Sequence, residues 1–95
     1  MRHTRWTTPA RADLARIDAY FASHNLDHAD EVGPAALAAG LFLGEFPFAG
    51  ESVPPDHRRW HVPHTRCILI NRLLADSAQI LRVHHERENW RDDLP

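Results

Sequence analysis

The sequence predicts an α+β domain, ordered strand-helix-helix-three strands, in which a helical hairpin packs on an antiparallel sheet. Three observations predict it. Apolar residues recur at spacings of three and four through the first half of the chain. In the second half they alternate with polar ones, as strands do. The halves are parted by a helix-stopping break at Phe46-Pro47-Phe48-Ala49-Gly50. With 95 residues the chain can hold one core, so residues 1–95 are expected to form a single domain.

Residues 2–7 (RHTRWT) contain β-formers and predict a short first strand. Thr8-Pro9 opens a helix, because threonine caps free backbone N–H groups and proline suits the first helical position. Ala10, Leu14, Ile17 and Phe21 then mark one face of an amphipathic helix running to about Ser23. His24-Asn25-Leu26-Asp27 ends it, with Asn25 suited to a left-handed cap.

A second helix covers roughly residues 28–45. Proline within a helix costs about 3 kcal/mol, so Gly33-Pro34 predicts a separate turn at 28–32 and a helix starting at Pro34. Val32, Ala36, Ala39, Leu43 and Phe46 form one stripe; Leu37, Leu41 and Phe42 form another. That is more apolar surface than one core needs. Either the helix is sandwiched between the first helix and the sheet, or part of it awaits a protein partner.

Glu51 to Asp56, with Pro54-Pro55, reads as a loop. From His57 to Val62 the chain alternates, with Arg58, Trp60 and Val62 on one side and His57, Arg59 and His61 on the other. Pro63-His64-Thr65 turns it into the more apolar strand Cys67–Asn71. Ala75-Asp76-Ser77 turns it again into a last strand, Gln79–His85. These last three strands should make most of the sheet. Leu14, Ile17, Leu43, Ile68, Ile70 and Leu81 or Val83 should be buried.

All eleven cations are arginine, set against thirteen acids for a net charge of −2. Proteins that live on nucleic-acid phosphates are usually basic overall, so here such binding would need a local patch. The single cysteine, Cys67, excludes an internal disulfide. No apolar run approaches the ~20 residues of a membrane span, and Met1-Arg2-His3-Thr4-Arg5 leads into no apolar leader. A cytoplasmic protein is expected.

Four stretches resemble the RelE/ParE superfamily of toxins from type II toxin–antitoxin modules, also called plasmid stabilisation proteins. Trp6-Thr7 with Ala10 and Ala12-Asp13-Leu14 is similar to that family's first strand and helix start. Leu43, Glu45-Phe46-Pro47 and Gly50 resemble its exit from helix two. Asn71-Arg72-Leu73 resembles the end of its third strand. Ile80-Leu81-Arg82-Val83-His84-His85, with Arg87 and Trp90, resembles its last strand and tail. The third strand here lacks the tyrosines of many relatives, and Glu51-Ser52 stands where a basic step is usual. The resemblance implies the RelE/ParE-like fold, a cognate antitoxin as partner, and no metal or other cofactor. For the ParE-like branch it implies binding of DNA gyrase, trapping of its cleaved-DNA state and arrest of replication, without catalysis by the toxin. For the RelE-like branch it implies a ribosome-dependent mRNA endonuclease, an enzyme.

Cleavage of RNA by its 2′-hydroxyl needs a base, an acid and cations for the developing phosphorane charge. For RelE-like members the resemblance implies either a lysine/arginine/tyrosine site or a glutamate/arginine/histidine site; with no lysine, and with Tyr20 the only tyrosine and in helix one, the first is ruled out. A glutamate/arginine/histidine site would draw on Glu51 or Glu45, Arg66 or Arg82, and His85. Arg82 is alternatively a structural arginine paired with a carboxylate. His57 and His61 lie ~13 Å apart on a strand and cannot share an ion; His61, His64 and Cys67 flank a turn, but no metal is expected. The ParE-like reading is preferred. It makes Trp60, Arg82, Arg87 and Trp90 the target-binding residues, since tryptophan and arginine dominate interfaces. Leu37, Leu41 and Phe42 are then the antitoxin-binding residues, covered by a tail that folds on the toxin along the helical pair and the sheet edge.

Overall fold

A computed structural model describes residues 3–23 and 29–93. The elements are β1 (His3–Trp6), α1 (Thr8–Ser23), α2 (Ala29–Glu45), β2 (Glu51–Val53), β3 (His57–His61), β4 (Cys67–Leu73) and β5 (Ser77–His85), followed by a 3₁₀ turn at Trp90–Asp93. The sheet has the strand order β1-β5-β4-β3-β2. β2 to β5 are antiparallel neighbours, while β1 runs parallel to β5, with His3 beside Ser77 and Trp6 beside Ile80. Among the described residues no helix is long and apolar enough to cross a membrane.

Both helices lie on one face of the sheet. Ala10 and Ile17 of α1 and Ala39 and Leu43 of α2 share a buried cluster with Val62, Cys67, Leu69, Ala78, Ile80 and Val83. Leu14 is partly buried against it. On the opposite face Trp90 covers Ile68 and Ile70, with Val53 beside them. The expected core is thus present but divided between the two sides of the sheet.

Thr7 sets the start of α1. Its hydroxyl accepts the Ala10 N–H at 3.2 Å and reaches the carbonyls of Ile80 and Leu81, both at 3.0 Å. The helix cap is therefore also the bond that ties α1 to β5. α2 approaches the sheet through small residues. A Cβ on Gly40 would stand 2.9 Å from the Trp6 ring, and the Thr4 hydroxyl donates to the Gly40 carbonyl at 2.6 Å. Only glycine permits that approach.

Three expectations are corrected. Pro34 does not begin a helix; it lies inside one continuous α2. It sits about one turn from the start, so the only helical bond lost is the one its N–H would make to the carbonyl of residue 30. Glu51–Val53 is not loop but an edge strand, paired to β3 from Glu51 beside Arg59 to Val53 beside His57. The capping threonine is Thr7 rather than Thr8, which is already the first residue of α1. The expected first strand is present as β1, at the edge of the sheet and parallel to β5. The Asn25 cap lies outside the described residues.

Alternation in β5 is interrupted. Ile70 pairs with Arg82 and Asn71 with Ile80, leaving Leu81 as the extra residue of a bulge. The bulge puts Ile80 and Val83, three residues apart, on the helix-covered face. Arg82 and His84 pair with Ile70 and Ile68 and so share the opposite face. At the β3–β4 turn His64 takes the left-handed conformation, with φ of 65°. The Thr65 hydroxyl closes that turn between the Val62 carbonyl and the Cys67 N–H.

Candidate functional site

α2 exposes apolar side chains on two flanks. Leu37 and Leu41 are 52% and 70% exposed. Leu37 and Gly33 line a groove with Trp6, Leu14 and Ala15, and Arg11 and Asp18 supply a charge of each sign there. Phe42 turns the other way, because each helical residue advances about 100°. Its ring stacks on Trp60 with centroids 5.2 Å apart and lies 4.8 Å from Phe46. Phe46 and Phe48 extend this second flank and are exposed. Of the three residues expected to meet an antitoxin, Leu37 and Leu41 therefore lie together, and Phe42 lies apart.

The residues expected to meet a target also divide. Trp60 is half-buried against the main core, on the helix-covered face, and its indole N–H is buried with no hydrogen-bond partner among the described residues. Trp90 is 4% exposed and sits on the opposite face. Its ring carries Arg91 at 4.3 Å and Arg59 at 5.4 Å, and Arg59 also forms a forked pair with Glu51, at 2.7 and 2.9 Å. Such cation–π contacts hold the ring by its faces. Arg87 is exposed in the turn between β5 and the tail, where its N–H donates to His85 Nδ1 at 3.1 Å.

Arg82 is held by Asp13. Its Nε and Nη2 donate to the two carboxylate oxygens at 2.6 and 3.0 Å, and the Val83 N–H donates to the same carboxylate at 3.0 Å. Burial pushes the Asp13 carboxyl up. The bonds from Arg82 and Val83, with the charges nearby, outweigh burial and hold it below its ordinary value. Glu88 behaves alike: burial raises it, and the bonds from His84 and His85 with the Arg16 charge bring it down. Neither acid is among the site residues that the sequence leads one to expect. A signal exists for Asp13, which lies on the buried face between Ala10 and Ile17. None marks Glu88.

The ribonuclease candidates have separate engagements. Arg66 is exposed near the β3–β4 turn, 4.0 Å from Glu86. His85 pairs with Cys67 across the strands, on the helix-covered face, whereas Arg82 is turned to Asp13. Glu51 is occupied by Arg59, and Glu45 is exposed at the end of α2. His61 Nε2 lies 3.5 Å from Glu86, and His57 lies beside Asp56. Among the described residues no cluster of three histidine, cysteine or acidic side chains is placed to hold a metal ion. Cys67 is fully buried, and burial raises its thiol pKa, so it is a poor nucleophile.

The architecture is shared with a protein of a solved toxin–antitoxin system. A chain of the solved structure "Chromosomal ParDE TA system from P. aeruginosa" matches with a TM-score of 0.65 at 20% identity, over 90% of this chain and 96% of that one. The family model for the ParE toxin of type II toxin–antitoxin system, parDE, matches residues 4–90, and the chain belongs to that family. No curated protein matches the sequence.

Proposed function

We propose that this ParE-family toxin arrests replication by binding DNA gyrase and is neutralised by a cognate antitoxin. The observation that carries the reading is the apolar flank of α2: Leu37 and Leu41 stand exposed beside a groove between the helices. An amphipathic segment can lay its own apolar face there, as helix-in-groove partners do. Arg11 and Asp18 give that groove polar anchors for register. On the target side, exposed Arg87 and Arg91, on a tail that buried Trp90 anchors to the sheet, supply the arginine chemistry of a protein interface. The Asp13 pairing supports a non-enzymatic mode, because a guanidinium fixed by two hydrogen bonds to a carboxylate is poorly placed to meet a phosphorane.

Two assays run side by side test this. Purified toxin with gyrase and supercoiled plasmid should yield trapped linear DNA. Toxin with translating ribosomes should leave message intact. Cut message that disappears in His85→Ala, with gyrase unaffected, would replace this reading with a RelE-like mRNA endonuclease.

A further inference from the structure

β1 accompanies β5 only as far as Ile80, so among the described residues the end of β5 has no strand on that side. Amides facing one edge belong to every second residue. Here two of them, those of Val83 and His85, are taken by carboxylates. Asp13 Oδ2 accepts from Val83 at 3.0 Å and Glu88 Oε1 from His85 at 3.2 Å. Each acid also binds the side chain one residue earlier. Asp13 takes the Arg82 guanidinium, and Glu88 Oε2 lies 3.0 Å from His84 Nδ1. Arg16 of α1 spans the pair, with Nη2 3.6 Å from Glu88 and 4.0 Å from Asp13. Two carboxylates and a bridging arginine stand where a neighbouring strand would be.

Glu88 does this from the turn that leads into the tail. Its own N–H donates to the His85 carbonyl at 3.0 Å, and two residues later Trp90 covers Ile68 and Ile70. The direction in which the chain leaves β5 therefore passes through Glu88. The main core contains no residue beyond Val83, so the domain can stay folded with its tail released.

We propose that Glu88, steadied by Arg16, is a positioning residue that orients exposed Arg87, on the tail that buried Trp90 anchors, toward the macromolecule the toxin inhibits. The proposal rests on the reading of the tail as a target-binding surface. Both oxygens of Glu88 are engaged within the chain, so it acts through the residues it places. Glutamine at this site can still accept from the His85 N–H, but it gives up the negative charge that faces Arg16, and its amide NH2 cannot accept from the guanidinium.

The test uses the full chain with Glu88→Gln, Arg16→Gln and Arg16→Lys. Amide hydrogen exchange is read across residues 85–91, and the inducer level needed for growth arrest is read at matched protein abundance. Glu88→Gln and Arg16→Gln should keep the wild-type circular dichroism spectrum. Exchange at 85–91 should quicken about tenfold while β4 stays protected. The inducer needed should rise about tenfold. Arg16→Lys, which keeps the charge, should restore both. If Glu88→Gln does not fold, the exposed Arg16 variants carry the test. Unchanged exchange at 85–91, or full toxicity with a released tail, overturns the proposal. Growth arrest does not presuppose gyrase, so a wild-type toxin that leaves gyrase untouched overturns the target assignment alone.

Discussion

The Asp13 carboxylate and the Arg82 guanidinium, 69 positions apart in the chain, meet in a two-pronged pair at 2.6 and 3.0 Å. The pair joins α1 to the last strand beside the Thr7 cap. Asp13 is nearly enclosed, and Arg82 is partly exposed. Removing one partner leaves a poorly hydrated charge and an orphaned Val83 amide. Asp13→Ala should therefore destabilise by about 2–4 kcal/mol, read as a lower midpoint in urea. Adding Arg82→Met should recover part of that loss, because the stranded charge is then gone. A single variant within about 0.5 kcal/mol of wild type would show that the pair contributes little.

The same acids shape the response to pH. Asp13 and Glu88 both titrate below their ordinary values of 3.8 and 4.5 in the folded chain. A depressed folded pKa means that the unfolded chain binds protons first. The stability these groups contribute is then fully present above the ordinary values and is lost as pH falls through the folded ones. Urea midpoints should fall below about pH 5 and keep falling as both carboxylates protonate. Asp13→Asn should start lower and show a shallower acid limb. A parallel limb in that variant would assign the acid sensitivity to other groups.

Much of the fold is legible in the sequence, for a physical reason. α1, α2 and β3 each bury one face more than the other, and one-sided burial writes a period into the residues; β4 is covered on both faces and reads instead as a continuous apolar run. β2 has three residues, and its pairing is made by β3 rather than by any local pattern. The parallel partnership of residues 3–6 with 77–80 likewise has no local trace. Pro34 misled because its penalty belongs to helix interiors, and it sits close to the helix start.

The site is legible in kind and less so in arrangement. The surplus apolar surface of α2 can be read from Leu37, Leu41 and Phe42. Their separation onto two flanks follows only once the helix is set on the sheet. Trp60 and Trp90 stand out by residue type, but the register of β3 sets Trp60 on the helix-covered face while the tail carries Trp90 to the other. The Arg82–Asp13 pair needs β5 to end beyond β1 and α1 to start beside it, a three-element coincidence with no signature in any one segment.

Gly40 offers a test of helix–sheet spacing. A Cβ there would lie 2.9 Å from Trp6 Cζ2 and 3.3 Å from two neighbouring ring atoms. Alanine normally favours a helix by up to ~1 kcal/mol over glycine. Here the ring must shift or α2 must lift, and overpacking of this kind costs about 1–3 kcal/mol. Gly40→Ala should therefore lower the thermal midpoint. Gly33, with open space around its position, should tolerate alanine and gain from it. Equal outcomes at both sites would mean that the Trp6 contact does not limit the approach of α2.

The two flanks of α2 should separate binding from stability. Leu41 is 70% exposed, so Leu41→Asp gives up little buried surface and should change stability by no more than about 0.5 kcal/mol. A charge set into the surface proposed for the antitoxin should instead weaken that complex by about 2 kcal/mol, roughly thirtyfold in Kd. The measurement is calorimetric titration against the protein encoded by the adjoining gene. Phe42→Ala should do the reverse. It removes the stack on Trp60, worth about 0.5–1.5 kcal/mol beyond its buried area, and leaves Leu37 and Leu41 in place, so stability falls while antitoxin affinity holds. Unfolding of Leu41→Asp would show that the flank belongs to the core. Undiminished affinity in a folded Leu41→Asp would move the antitoxin away from the helical groove, with the aromatic flank of Phe42, Phe46 and Phe48 as the next surface to test.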